Sequence, residues 1–186
     1  MTPMTRLRDK RFVLATDLDG TFLGGSDTDR RHLYSWIEGR RHDVGLVFVT
    51  GRDPAFILEL CAEGFVPTPD YVIGDVGTTV AEVTGAAGAR DLRMIEALEA
   101  DIAARWGDAG PAVREALRNA AGLRLQDTPF RYRVSYHYDP DRYDGRAETV
   151  IREMGHDVLI SDNRYFDVLP KGVSKGPTLE RLIAHL

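Results

Sequence analysis

The sequence predicts a three-layer α/β fold, a parallel Rossmann-like sheet between helices, interrupted by an inserted α+β unit. Three observations carry this. Short apolar runs alternate with amphipathic helical segments over residues 12–74, the order that right-handed crossovers join into a doubly wound parallel sheet. Polar, glycine-containing clusters follow the apolar runs at 17–20, 50–52 and 75–77, and ligands in such sheets bind at the carboxyl ends of the strands. Beyond about residue 80 the pattern changes to helical segments and alternating strand-like segments. The expected limits are 1–79 and 167–186 for the sheet domain and 80–166 for the insert.

Phe12-Val13-Leu14-Ala15-Thr16 is apolar throughout, as a strand buried on both faces must be. Residues 20–27 read as loop. Thr28 or Asp29 can cap a helix to about Glu38, with Leu33, Trp36 and Ile37 on its inner face. Residues 45–50 form a second buried strand. Asp53-Pro54 opens the next helix, aspartate as cap and proline at the first helical position. It runs to about Glu63, and a third strand follows over 71–74.

In the insert, 78–83 reads as a short strand, 85–89 as a small-residue turn, and 92–106 and 112–120 as helices. Segments 123–127 and 131–138 read as antiparallel strands, the second alternating Tyr132, Val134, Tyr136 and Tyr138. A helix over 142–154 precedes a hairpin of 157–161 and 165–169 around Asp162-Asn163-Arg164. Ser174 can cap a last helix over 175–186 with Leu179, Leu182 and Ile183 inward.

Composition narrows the function classes. With a net charge of −5 the chain lacks the field that gathers phosphate backbones, so nucleic acid is not expected as a partner. No apolar run reaches the length of a membrane span, and the charged N-terminus over 1–11 has no signal-peptide core behind it. The single cysteine, Cys61, excludes an intrachain disulfide and reads as a buried small apolar residue in a reducing, cytoplasmic setting.

Three constellations carry chemistry. Asp17 and Asp19 are two apart at a strand end, so both carboxylates aim to one side, a donor set for a hard cation such as Mg²⁺. With a phosphate present, one can attack phosphorus while the other manages the leaving-group proton. The same residues read equally as a turn. Thr50-Gly51-Arg52 offers a hydroxyl and free N–H groups just before a helix, an anion site or an ordinary helix entry. Lys175 lies in a first helical turn, unfavourable for a cation unless it faces an anion. Lys171 competes for that role. A dinucleotide-binding domain is rejected, because the first strand is followed by Asp17-Leu18-Asp19-Gly20-Thr21-Phe22 and not by G-x-G-x-x-G.

Asp-Leu-Asp-Gly-Thr at 17–21, Val-Thr-Gly-Arg at 49–52 and Ser-Lys-Gly at 174–176 together resemble the first three motifs of the haloacid dehalogenase superfamily. Residues 135–140 (Ser-Tyr-His-Tyr-Asp-Pro), the run 166–176 and Val76-Gly77 resemble its sucrose-phosphate phosphatase branch. The resemblance spans 12–186. It implies an Mg²⁺-dependent phosphomonoesterase acting on a sugar phosphate such as sucrose 6-phosphate. Asp17 would be the nucleophile, forming an aspartyl-phosphate, and Asp19 the general acid and then base. Thr50 and Lys175 would hold the phosphoryl oxygens, with Gly51 and Arg52 beside them on the substrate. Mg²⁺ would take the Asp17 carboxylate and the Asp19 backbone carbonyl. The insert would be a cap that reads the sugar. Its candidates are Arg133, Tyr136, His137 and Arg164, because hydroxyl-rich ligands need polar groups among aromatic faces; each reads as well as a sheet-surface residue.

The resemblance also implies a fourth motif, Gly-Asp-x-x-x-Asp on a strand after the last helix, which completes the Mg²⁺ site. The sequence stops at Leu186, where that strand would begin. The expectation is therefore a truncated form of a longer protein, with a weaker metal site and an exposed edge at the first strand, open to self-association. The alternatives are a mannosyl-3-phosphoglycerate phosphatase, which resembles the same branch, and a catalytically impaired sugar-phosphate-binding module.

Overall fold

A computed structural model describes residues 6–85 and 89–186. They form two compact units, 1–96 with 175–186 and 97–174.

The first unit is a five-stranded sheet of β1 (Phe12–Thr16), β2 (Val44–Val49), β3 (Tyr71–Gly74), β4 (Thr79–Thr84) and β5 (Asp91–Met94), in that spatial order. β1, β2 and β3 are parallel, Leu14 lying opposite Leu46 and Phe48 opposite Val72. β4 and β5 continue the sheet antiparallel. β2 is buried along its whole length, which its unbroken apolar sequence requires. One sheet face packs Leu46, Phe48 and Val72 with Ile37 of α1 (Asp27–Glu38) and with Ile57 and Cys61 of α2 (Pro54–Ala62). The last helix, α6 (Lys175–His185), packs against β3. Cys61 is buried, as expected.

The second unit is a four-stranded antiparallel sheet of β6 (Leu123–Leu125), β7 (Val134–Tyr138), β8 (His156–Ser161) and β9 (Tyr165–Pro170), in the order β6-β7-β9-β8. With it go α3 (Glu96–Trp106), α4 (Gly110–Ala116) and α5 (Arg146–Glu153). Trp106, Val113, Leu117 and Ile151 close on Val134, Tyr136, Phe166 and Val168. Period-2 geometry leaves Ser135, His137, Tyr165 and Asp167 on the opposite sheet face. The expected hairpin forms, with Asp162 and Asn163 at φ +51° and +52°, residue types that tolerate the left-handed region.

Several expectations are corrected. The unit boundaries fall at 96/97 and 174/175 and not near 80 and 166. β4 and β5 complete the backbone hydrogen bonds that β3 would otherwise leave open, and β9 pairs on both sides within the second sheet. Residues 91–94 are a strand and not the start of a helix. The N-cap of α1 is Ser26, whose Oγ accepts from the Asp29 N–H at 3.2 Å, and not Thr28 or Asp29. Leu33 and Trp36 are about two-fifths exposed and Ile183 is more open still, so only Ile37 and Leu182 of those stripes are fully inside. Helices expected over 112–120 and 142–154 are shorter, 110–116 and 146–153. β1 is an edge strand with Phe12 and Val13 exposed. Most of the expected 85–89 turn, and residues 1–5, lie outside the described residues.

Candidate active site

The site is built at the carboxyl ends of β1 and β2. Past Thr16 the chain turns through Leu18–Phe22, closed by hydrogen bonds from Phe22 N to Asp17 O (3.2 Å) and from Leu23 N to Leu18 O (2.9 Å). Leu18 and Phe22 anchor this turn in the core. Gly20 supplies the φ of +72° that the turn demands. Anchoring Leu18 leaves Asp17 and Asp19 on its other side, both partly open to solvent.

Each carboxylate meets a cation. Lys175, the first residue of α6, donates its Nζ–H to Asp17 Oδ1 at 2.7 Å. Arg52 donates from Nε to Asp19 Oδ2 at 3.0 Å and from Nη2 to Oδ1 at 2.9 Å. Its guanidinium also lies over the Phe56 ring, 4.7 Å from the centroid. The hydrogen bonds from Arg52 lead in holding the Asp19 carboxyl below its ordinary value; burial opposes them, and the charges of Arg52 and Lys175 add to them.

Thr50 is fully buried at the end of β2. Its N–H donates to Ile73 O at 2.8 Å, and its Oγ1 accepts from the Arg52 N–H at 3.1 Å. Asp53 caps α2, its Oδ1 accepting from Phe56 N at 3.1 Å, so Gly51 and Arg52 sit in the entry to a capped helix. Asp75 of the third cluster is buried and accepts from Thr79 Oγ1 at 2.8 Å. That cluster enters the site through its backbone.

Asp17 with Lys175 and Asp19 with Arg52 thus form two directly bonded pairs, near enough for the Lys175 charge to act on Asp19, with Thr50 bonded to the Arg52 backbone. Lys171 belongs to the second unit and is exposed.

The remaining candidates all lie in the second unit. Arg133 is buried; its Nη1 bonds Ser135 Oγ and lies 3.4 Å from Asp167 Oδ1, and its guanidinium sits over Phe130. Ser135 also donates to Asp167. Spacing singled out Arg133 but neither of these partners, although both share the period-2 face of His137. His137 is exposed beside Tyr165, ring centroids 6.5 Å apart. Arg164 is exposed, 3.9 Å from Asp162. Tyr136 departs from its expected role. It lies on the helix-facing side, edge-on to Phe166, and burial pushes its hydroxyl up to about 12. It is a core residue, because residue 136 has the opposite parity to 135 and 137.

The profile of the sucrose-6F-phosphate phosphohydrolase family matches residues 10–186. The chain is 39% identical over 173 residues to a glucosylglycerol-phosphate synthase of Pseudomonas anguilliseptica, covering 92% of this chain and 22% of that protein. It is 33% identical to a probable sucrose-phosphatase 2 of Arabidopsis thaliana, covering 95% of this chain and 42% of that one. The chain therefore spans less than half the length of either relative. The crystal structure of the sucrose-phosphatase from Synechocystis sp. PCC6803, in complex with sucrose and phosphate, superposes with a TM-score of 0.80 at 21% identity, over 95% of this chain and 70% of that one.

Proposed function

The chain belongs to the sucrose-6F-phosphate phosphohydrolase family of the haloacid dehalogenase superfamily, and we propose that it hydrolyses the phosphomonoester of a phosphorylated sugar or small glycoside, sucrose 6-phosphate being the reference substrate. The observation that carries this is the pairing of Asp17 with Lys175 at 2.7 Å beside the Asp19–Arg52 pair. Two carboxylates and two cations share one strand-end site, a carboxylate nucleophile beside cations that can meet phosphoryl oxygens.

Asp17 attacks phosphorus through a carboxylate oxygen, and the P–O bond to the sugar breaks. Asp19 in its protonated form gives its proton to the departing sugar oxygen. The resulting Asp19 carboxylate then takes a proton from water as that water attacks the aspartyl-phosphate, which frees Asp17 and orthophosphate. Lys175, the Thr50 hydroxyl and the Gly51 N–H hold the phosphoryl oxygens as charge shifts among them, the Thr50 and Arg52 N–H groups being spent on Ile73 O and Thr50 Oγ1. The resting pair with Arg52 lowers the Asp19 carboxyl and so opposes its protonation, and a phosphate that drew Arg52 away would relieve this opposition.

The donor chemistry fits Mg²⁺: the Asp17 carboxylate and the Asp19 backbone carbonyl are hard oxygens, and Mg²⁺ readily keeps waters in its other positions. When bound it supplies positive charge to the phosphoryl oxygens. In the second unit, the Arg133–Ser135–Asp167 group with His137 and Arg164 is the proposed sugar-reading face.

A second reading is a phosphosugar-binding unit without turnover, favoured because both carboxylates are already occupied by cations. One experiment separates the two. Orthophosphate release is followed from a panel of sugar phosphates in Mg²⁺ buffer, with Asp17→Asn as control. Release that Asp17→Asn abolishes supports the hydrolase. Saturable binding of the same compounds with no release supports the binding unit.

A further inference from the structure

The turn after β3, Asp75–Gly77, holds a β-branched residue in the left-handed region and touches both anion-facing elements. Asp75 (φ +51°) and Val76 (φ +62°) are consecutive non-glycine residues in the left-handed region, followed by Gly77 at φ +104°. A β-branched side chain is especially costly there, and such a conformation persists only where its surroundings over-determine it.

Those surroundings are specific. Asp75 N donates to Arg52 O at 2.9 Å and Val76 N to Thr50 O at 3.2 Å, so the turn pins the 50–52 segment from below. The buried Val76 side chain lies against Gly51, its Cγ2 being 3.9 Å from where a Cβ at residue 51 would stand. On the other side, Gly77 O accepts from Thr178 Oγ1 at 2.8 Å. Thr178 is buried in α6 and lies three residues after Lys175, on the same helical face. Asp75 itself is tied by Thr78 Oγ1 to its carbonyl at 2.9 Å and by Thr79 Oγ1 to its carboxylate.

We propose that this turn sets the spacing between the Thr50 segment and the Lys175 helix, with Val76 and Thr178 as positioning residues for the phosphoryl-binding site. The inference rests on the phosphatase reading for what is bound but not for whether the bound anion is turned over. A residue of merely structural importance would change the melting temperature and leave the anion affinity of the folded protein alone. A positioning residue changes the affinity itself.

The test compares wild type, Val76→Gly, Thr178→Val and Thr178→Ser. Orthophosphate dissociation constants are measured by calorimetry in Mg²⁺ buffer, with melting temperatures and sugar-phosphate turnover on the same preparations. Val76→Gly removes both the strain and the contact with Gly51; Thr178→Val removes only the hydroxyl. Each is expected to bind orthophosphate about tenfold more weakly, and Thr178→Ser is expected to stay within about twofold of wild type. Folded variants with wild-type affinity, or a serine variant as weak as the valine one, overturn the proposal. The Thr178 comparison decides the matter if Val76→Gly does not fold. A wild-type chain that binds orthophosphate but releases none from any sugar phosphate defeats the hydrolase reading and leaves this inference standing. Normal turnover with unaffected variants does the reverse, and no orthophosphate binding by wild type defeats this inference, while turnover on the same preparations still decides the hydrolase reading.

Discussion

Arg52 forks onto Asp19, both carboxylate oxygens receiving a guanidinium N–H at about 3 Å, although the two residues are 33 apart in sequence. The pair is half exposed, so its stability value is that of a surface ion pair, at most about 1 kcal/mol. Its chemical consequence lies in proton transfer: the carboxyl expected to donate a proton is shifted below its ordinary value, against that role.

Arg52→Ala therefore separates two roles. Losing Arg52 raises the Asp19 carboxyl toward its ordinary value, so the variant keeps Asp19 protonated to a higher pH. The limb of the kcat/KM profile that reports Asp19 is expected to move to higher pH, while KM rises through loss of a phosphate contact. The stability effect has a definite sign. A carboxyl depressed in the folded state contributes above its unfolded value of about 4 and loses that contribution as pH falls through its folded value. Wild type and variant should thus converge in urea unfolding at strongly acidic pH. An unshifted limb would show that Arg52 does not govern Asp19.

Tyr136 offers a test in the second unit. Its hydroxyl is buried and meets no hydrogen-bond partner among the described residues. Tyr136→Phe is expected to be stabilising at neutral pH by about 1 kcal/mol, since it removes an unsatisfied buried group. Because burial raises the hydroxyl to about 12, the unfolded chain ionises first. The stabilisation present below pH ~10 should be lost as pH rises from there toward 12. Tyr136→Phe should remove that part of the alkaline loss, as read by urea unfolding across pH. A large loss of activity in this variant would restore the substrate-reading role expected from sequence.

The Arg133–Asp167 pair behaves as a buried ion pair. Asp167→Ala removes a carboxylate from a buried guanidinium and should cost about 3–5 kcal/mol. Replacing both residues together, Arg133→Met with Asp167→Leu, should cost less than the single change, and equilibrium unfolding in urea checks this. A double variant at least as destabilised as Asp167→Ala would contradict the pairing.

A smaller effect marks the helix that presents Arg52. Asp53 caps α2 through Phe56 N, and Asp53→Ala should cost about 1 kcal/mol. Asp53→Asn should recover most of it, as read by the urea midpoint.

Much of this was legible in the sequence because buried parallel strands announce themselves. Residues 44–49 and 71–74 are apolar on both faces and mostly buried, residues 12–16 have the same apolar run but form an edge strand with Phe12 and Val13 exposed, and each is followed by a polar, glycine-containing loop. Asp17, Asp19, Thr50 and Lys175 were therefore legible as one site. β5 was not, since Leu92, Ile95 and Leu98 extend the spacing of α3 backward through a segment that β4 recruits as a partner. The side of β7 was also hidden. Alternation identifies Tyr132, Val134, Tyr136 and Tyr138 as one face, but only the packing of α4 and α5 makes that face the apolar core and leaves Arg133, Ser135 and His137 on the other. The Arg52–Asp19 fork joins two loops, and no local spacing encodes such a contact.

The most direct measurement of the central proposal is a search for phosphate on Asp17. Wild-type protein and Asp17→Asn are mixed with sucrose 6-phosphate and Mg²⁺, quenched in acid during the first turnover, reduced with borohydride and examined by peptide mass spectrometry. Borohydride converts an aspartyl-phosphate into homoserine. Homoserine at position 17, present only with substrate and absent from Asp17→Asn, is the expected result. Orthophosphate released at full rate with position 17 unmodified throughout, or equally by Asp17→Asn, would contradict it.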